Sequence, residues 1–418
     1  MEPYKVKDMN LAEQGKNEIY WAETRMPVLR KIRERFEKEK PLQGITVGMC
    51  LHVTAETAVL VRTLKSGGAE VAITGCNPLS TQDSVAAALA SEGHHVYSWR
   101  DETNEEYYQN LNIVLDYKPD ITIDDGCDLV FTVHTKRQDC LENIKGGCEE
   151  TTTGVHRIKA MEADGALKYP VMDVNDAYTK FMFDNRYGSG QSSLDGILRA
   201  TNVLLAGKNF VVVGYGWCGR GVATHARGMG SNVTVVEVDS IKALEAVMDG
   251  FRVMSMAEAA KIGDVFLTVT GNKNVIRKEH MELMKDKAIL ANSGHFNVEI
   301  SLPDLEALTK EKKQVRPNTV EYVLNNGKKL YFLAEGRLIN LAAAEGHPPE
   351  VMDLSFANQA LAVEHLVKNH KDLEPKVLKI SIEQDKEIAR LKLEAMDIST
   401  EKLTDEQKKY MADWKEGT

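Results

Sequence analysis

Short apolar runs alternate with longer amphipathic stretches along most of this chain, the rhythm of strands and helices taking turns. A charged N-terminal helical region ending near Glu39 leads into Gly44-Ile-Thr-Val-Gly-Met-Cys-Leu51, a buried-strand run that stops at His52. From there the pattern predicts a helix over 55–66, a strand over 70–74, a helix over 81–91, a strand over 95–99, a helix over 102–115 and a strand over 120–124. That is the alternation of a doubly wound parallel sheet. Strands at 129–133 and 171–174 extend it, with the Thr-rich stretch 149–154 between them. A helix over 192–205 then opens a second series, with strands at Phe210, at Val233, over 265–270 and over 288–292, ending near Glu345. From Pro348 the pattern turns helical, and 371–418 is strongly charged and helix-forming, an appended arm of the kind that makes subunit contacts.

The second series carries the most specific chemistry. Phe210-Val-Val-Val-Gly214-Tyr-Gly216-Trp217-Cys218-Gly219-Arg-Gly221 places a GxGxxG after an apolar strand and at the start of a Gly/Ala-rich helix. Gly214 permits the tight turn, Gly216 lets backbone approach a pyrophosphate, and Gly219 lets helix and strand pack closely while the helix N-terminus faces the anion. Val233-Thr-Val-Val-Glu237 supplies a second strand ending in an acid at the distance expected for an adenosine ribose. A carboxylate there repels a 2′-phosphate and favours NAD over NADP, although Lys242 leaves an opening for the phosphorylated form.

Composition narrows the function further. With 418 residues, 43% hydrophobic and 27% charged, the chain has enough length for two or three domains. Its net charge of −10 is spread without a basic stripe, which points to a small-molecule substrate and away from nucleic acid. No apolar run has the length of a membrane span and the N-terminus lacks the core of a signal peptide, so a cytoplasmic protein without a membrane partner is expected. The six cysteines show no CxxC or Cys/His zinc spacing, and no metal is expected.

In open parallel sheets ligands sit beyond the carboxyl ends of strands. His52, Asp124-Asp125, Asp173 with Asp176, and Ser293-Gly294-His295 all follow strands and could converge on one cleft. Lys180 and Asp184, four apart, share a face if helical. Such a pair is ordinarily a solvated ion pair, but it lies just before the cofactor series.

These residues carry a resemblance that covers nearly the whole chain. His52-Val-Thr54-Ala-Glu56-Thr-Ala, Asn77-Pro-Leu-Ser-Thr-Gln-Asp83, Asp124-Asp-Gly, Glu149-Glu150-Thr-Thr-Thr-Gly, Lys180-Phe-Met-Phe-Asp184-Asn185, Gly294-His295-Phe, Ala334-Glu-Gly-Arg-Leu-Ile-Asn340 and Gly346-His347-Pro together resemble the S-adenosyl-homocysteine hydrolase family in its compact archaeal and bacterial form. The resemblance implies an α/β chain with two doubly wound parallel-sheet domains: a substrate domain, 1–182 completed by 348–372, and a Rossmann NAD domain, 188–345. A C-terminal helical arm, 373–418, would make the contacts of a homo-oligomer, a tetramer.

It also explains why a thioether hydrolase carries a redox fingerprint. NAD oxidises the ribose 3′-hydroxyl, which acidifies the C4′ hydrogen so that the thiolate at C5′ leaves by elimination; water adds, and reduction returns the nucleoside. By resemblance Lys180, supported by Asp184 and with its pKa lowered by burial, takes the 3′-hydroxyl proton. Asp125 takes the C4′ proton, and His52 and His295 serve the leaving sulfur and the water. Glu150, Lys180 and Asp184 are placed on the ribose hydroxyls, and Thr54, Glu56 and His347 on the base. Glu56, accepting from the exocyclic amine, favours adenine over a six-oxo base. For NAD the resemblance implies Thr151, Thr152, Thr153, Asn185, Gly214, Gly216, Trp217, Cys218, Gly219, Glu237, Lys242, Asn272, Ser293, Gly294, His295, Asn340 and His347.

The chain departs from the animal pattern at Ser189, Lys242 and Glu345, and lacks the Lys- and Tyr-bearing tail that reaches a neighbour's cofactor. Three alternatives stay open: an S-inosyl-homocysteine hydrolase, an NAD-dependent 2-hydroxyacid-type dehydrogenase that needs no Asp125 or Lys180/Asp184 set, and a non-catalytic NAD-binding regulator of methylation.

Overall fold

The computed structural model describes residues 2–416; Met1, Gly417 and Thr418, which fall within the expected segments 1–182 and 373–418, lie outside them. The strands in chain order are β1 (Thr46–Cys50), β2 (Glu70–Thr74), β3 (His95–Tyr97), β4 (Ile121–Asp124), β5 (Gly146–Glu149), β6 (Val171–Asp173), β7 (Asn209–Val213), β8 (Asn232–Val236), β9 (Arg252–Val253), β10 (Val265–Thr268), β11 (Ala288–Asn292), β12 (Thr309–Arg316), β13 (Thr319–Leu324), β14 (Lys329–Leu333) and β15 (Val377–Lys379). They form two sheets with helices on their faces, an α/β architecture.

The first sheet runs β15-β6-β5-β4-β1-β2-β3, and every pairing in it is parallel. Its strand order reverses between β1 and β4, so the crevice for a ligand opens at their carboxyl ends, where His52 and Asp125 lie. Helices Pro27–Glu39, Ala55–Ser66 and Pro349–Asn369 cover one face through Leu29, Phe36, Val59, Leu60 and Phe356, all buried. Helices Asn104–Asp116, Asp128–Thr135 and Thr152–Ala163 cover the other through Leu111, Val130 and Ile158.

The second sheet runs β12-β13-β14-β11-β10-β7-β8-β9. It is mixed: β14, β11, β10, β7, β8 and β9 are parallel, whereas β12 and β13 join by antiparallel pairing. The expected doubly wound parallel sheet is present in six strands, and the antiparallel β12 and β13 extend it at one edge. β12, Thr-Lys-Glu-Lys-Lys-Gln-Val-Arg, has almost no apolar position to reveal it, as suits an edge strand defended by charge. The sheet's order reverses between β10 and β7, at the glycine fingerprint.

Two expectations are corrected. The stretch Leu129–Val133 is β-branched and apolar, yet it lies in helix Asp128–Thr135. Gly126 (φ 109°) and Cys127 (φ 69°) turn the chain after β4, and the Asp124 carboxylate accepts from the Val130 amide at 2.8 Å, starting a helix where propensity favours a strand. β5, with its Gly-Gly-Cys-Glu sequence, was invisible to the pattern because its strand character comes from central burial between β4 and β6. The segment expected as a helical arm also contributes β15 to the first sheet, and its helix Ile382–Ala395 buries Ile388 in that core. Among the described residues no helix is long and apolar enough to cross a membrane.

Candidate active site

Residues at the carboxyl ends of the two sheets line one cleft, whose cavity volume is about 130 Å³. It is lined by His52, Thr54, Glu56, Asp125, Glu150, Thr151, Thr152, Lys180, Asp184, Asn185, Cys218, Ser293, His295, Asn340 and His347. His52, Asp125, Ser293 and His295 thus converge as the strand-end rule predicts, whereas Asp124 caps the following helix through the Val130 amide and Asp173 and Asp176 pair with Lys159 outside the cleft. Thr153, Gly214, Gly216, Trp217, Gly219, Glu237, Lys242, Asn272 and Gly294 do not line this cleft; most belong to the loops and helix N-termini of the second sheet.

Two charged clusters occupy the cleft. In the first, Lys180 Nζ lies 3.3 Å from Asp184 Oδ2 and 3.6 Å from Glu150 Oε1, and donates to Asn185 Oδ1 at 2.7 Å. Lys180 ends the short helix Tyr178–Lys180, and Asp184 and Asn185 ride on the π-helix Phe181–Gly188 that follows, whose wide turns suit a functional site. Burial pulls the lysine's pKa down, but Asp184 and Glu150 outweigh it and hold Lys180 above the ordinary range. The expected lowering is therefore corrected: Lys180 is an ammonium. Asp184 is opposed by burial yet held well below the carboxylate range by Lys180 and His347, with Ser355 Oγ donating to it at 2.7 Å and His347 Nδ1 bonded to its other oxygen. Glu150 is pushed up by burial to about 8, against the pull of Lys180. Gln359 Nε2 donates to its Oε2 at 2.6 Å, while Oε1 has no hydrogen-bond partner beside the 3.6 Å ionic contact with Lys180.

In the second cluster Asp125 stands between two imidazoles, with His52 Nε2 at 3.5 Å from one oxygen and His295 Nδ1 at 3.5 Å from the other. Burial lowers His52 to about 4, against the attraction of Asp125, so its ring is neutral near pH 7. Ser80 Oγ sits 2.7 Å from His52 Nδ1 and Cys76 Sγ 3.2 Å from it, fixing the ring. His295 reaches across from the loop after β11, which Asn292 braces by donating to the carbonyls of Gly294, Phe296 and Gly336. A side chain at Gly126 would collide with His295 Nε2 at 2.2 Å, so the glycine makes room for the histidine to approach Asp125.

The nucleotide side fits a dinucleotide. Gly214 has φ 108°, a Cβ on Gly219 would lie 2.0 Å from Gly214 O, and a Cβ on Gly216 would meet nothing within 4 Å, leaving backbone open to a ligand. The Glu237 carboxylate accepts from the amides of Tyr215 (2.7 Å), Val238 (2.6 Å) and Asp239 (3.0 Å), which orients it at the end of β8. Asn340 Oδ1 is buried in the cleft without a partner, an acceptor available to a carboxamide. Glu299, not foreseen, accepts from the amides of Thr270 and Gly271 and shapes the loop beside the fingerprint.

The sequence reading also missed Met352, Ser355, Phe356 and Gln359. They project into or beside the cleft from one face of helix Pro349–Asn369, a spacing of three and four that follows directly on His347-Pro348 and could have exposed them.

Comparison with known proteins decides the family. The model described as S-adenosyl-L-homocysteine hydrolase matches residues 3–141, and that described as S-adenosyl-L-homocysteine hydrolase, NAD binding domain, matches 185–346. The chain belongs to the S-adenosyl-L-homocysteine hydrolase family. It is a hydrolase with an NAD-binding domain, and NAD is its cofactor. It is 66% identical to the S-inosyl-L-homocysteine hydrolase of Methanocaldococcus jannaschii over 99% of this chain and 100% of that one. It is 61% identical to the S-inosyl-L-homocysteine hydrolase of Methanopyrus kandleri, over 99% and 98%, and to the adenosylhomocysteinase of Aquifex aeolicus, over 99% and 100%. These hydrolases cover the chain end to end, which the 2-hydroxyacid dehydrogenase alternative does not explain.

Proposed function

We propose that this hydrolase reversibly cleaves S-adenosyl-L-homocysteine to adenosine and L-homocysteine, and takes the six-oxo thioether, S-inosyl-L-homocysteine, as a second substrate. The observation that carries the reading is the pairing of the Lys180–Asp184–Glu150 cluster with the His52–Asp125–His295 cluster in one cleft that also meets the NAD fingerprint. The second substrate is supported by the names of the M. jannaschii and M. kandleri relatives and by Glu56, which burial lifts to about 7 and which is therefore not a fixed anion facing the base.

NAD, held by the glycine loop, Glu237, Thr151–Thr153, Asn185, Cys218, Ser293 and Asn340, supplies reversible oxidation at the ribose 3′-carbon. Lys180 binds the 3′-oxygen as an ammonium and neutralises negative charge developing there. The hydroxyl proton passes to the ionised form of Glu150, the most basic carboxylate of the cluster at about 8, whose Oε1 has no hydrogen-bond partner and accepts from the ribose hydroxyl. Asp125 takes the C4′ proton made acidic by the neighbouring ketone, the step that lets sulfur leave. His52, neutral and aimed by Ser80, and His295 on the other side of Asp125 serve the departing sulfur and position the water. Thr54, Glu56 and His347 hold the base. The protein works in the cytoplasm as a homotetramer; apolar side chains left in solvent on helices Ser240–Met248 (Ile241, Leu244, Met248) and Asp405–Ala412 (Tyr410, Met411), and at Trp414 beyond them, support subunit contacts.

The test incubates the enzyme with each thioether and follows thiol release and bound-cofactor absorbance together. Thiol appearing without accumulated NADH is the expected result. Net NADH release, or no thiol from either compound, overturns the reading.

A further inference from the structure

Glu56 is buried in the cleft, yet no step of the reaction on the ribose needs it to be charged. It sits in the first turn of helix Ala55–Ser66, is 8% exposed, and lines the cavity beside the N-cap residue Thr54. His347 lines the same end of the cleft, and Glu345, two residues before it in the loop, acts on Glu56's charge from outside the lining. The Glu345 side chain is exposed and pairs with Arg199 Nη1 at 2.9 Å, while Gln82 bridges its backbone carbonyl (3.3 Å) to the Ala55 amide (3.0 Å) at the start of Glu56's own helix. The acids on the helices packed around this one are engaged elsewhere, Glu18 by Ser84, Glu23 by Arg33 and Arg62, Asp83 by the Arg100 amide and Asp353 by Lys392. Among the described residues, no Lys or Arg pairs with Glu56 at the base end of the cleft. Burial, with a smaller contribution from Glu345, favours the proton on Glu56 and outweighs the hydrogen bonds from its own backbone amide and Thr54 and the pull of His347.

We propose that Glu56 reads the purine as a neutral carboxylic acid, and that this lets the site accept the six-amino and the six-oxo base alike. The inference rests on the reading above, that the cleft binds a purine nucleoside thioether. A carboxylic acid presents one donor and one acceptor side by side, whereas a carboxylate presents acceptors only. Adenine offers an N6–H donor beside the N1 acceptor; hypoxanthine offers the O6 acceptor beside an N1–H donor. The acid satisfies either edge with two hydrogen bonds by choosing which oxygen carries the proton. The anion satisfies one group of each base and sets a lone pair against the other, so it rejects both for the same reason.

Glu56→Gln tests this, since an amide has the same donor and acceptor and does not titrate. For the wild type, KM for both thioethers should rise about tenfold between pH 6 and pH 8 as the protonated fraction falls. For Glu56→Gln the pH dependence should vanish, KM for each thioether staying flat over that range whatever its level. Calorimetry of adenosine and inosine binding at pH 8, in buffers of different ionisation heat, gives a second readout: proton uptake in the wild type and none in the variant. A wild type whose KM ignores pH and whose binding takes up no proton overturns the proposal. So does a wild type that turns over one thioether and not the other. Absence of thiol from both thioethers overturns the hydrolase reading, a different failure.

Discussion

Lys180 shows how much a single side chain owes to its neighbours. A buried lysine alone becomes a base; between Asp184 and Glu150 it stays charged and is suited to steadying an oxyanion. Lys180→Ala should cut thiol release by about 10²–10⁴-fold while the fold and NAD binding persist, because Asp184 keeps Ser355 and His347 as partners. Stopped assays with cofactor quantification check both halves. His52 makes a pH prediction of definite sign. Its folded pKa of about 4 lies below the ordinary 6.5, so the unfolded chain takes up the proton first as pH falls. The stability it contributes is present above 6.5 and is lost as pH drops toward 4, up to about 3 kcal/mol. Denaturant melts of the wild type and His52→Gln across that window should converge at the acid end.

At the scale of elements, the reacting groups stand on short pieces that cannot hold themselves. Helix Tyr178–Lys180 has three residues, and Asp385 of helix Ile382–Ala395 caps it, accepting from the Tyr178 (2.9 Å) and Thr179 (2.8 Å) amides. Asp385→Ala leaves buried donors unpaired and should destabilise the protein by about 1–3 kcal/mol, with kcat falling because Lys180 loses its anchor; thermal melts and kinetics read the two effects. Gly219→Ala should abolish NAD retention, since the new methyl meets Gly214 O. The contrast explains what was legible beforehand. The parallel strands, the fingerprint and the residues following β1, β4 and β11 announce themselves because apolar runs and strand-end polar residues are local signals. β5 and the helix Asp128–Thr135 do not, since pairing partners and the Asp124 cap override what Gly-Gly-Cys and Leu-Val-Phe prefer alone. Asp385, Ser355 and Gln359 are distant in sequence from the groups they hold, and only tertiary proximity brings them to the site.

Across the whole molecule, the apolar side chains on helix Ser240–Met248 and around Trp414 are in solvent in the single chain. If these surfaces make the subunit contacts proposed above, charge at Met411 and Trp414 should shift the particle toward smaller species in light scattering. The topology carries a further consequence. β15 closes the edge of the first sheet against β6 only after the chain has run through every strand of the second. On the ribosome, then, the nucleotide-binding half can finish while its companion still has an unpaired backbone edge, and translation halted shortly before Val377 would release a chain primed for strand addition between copies.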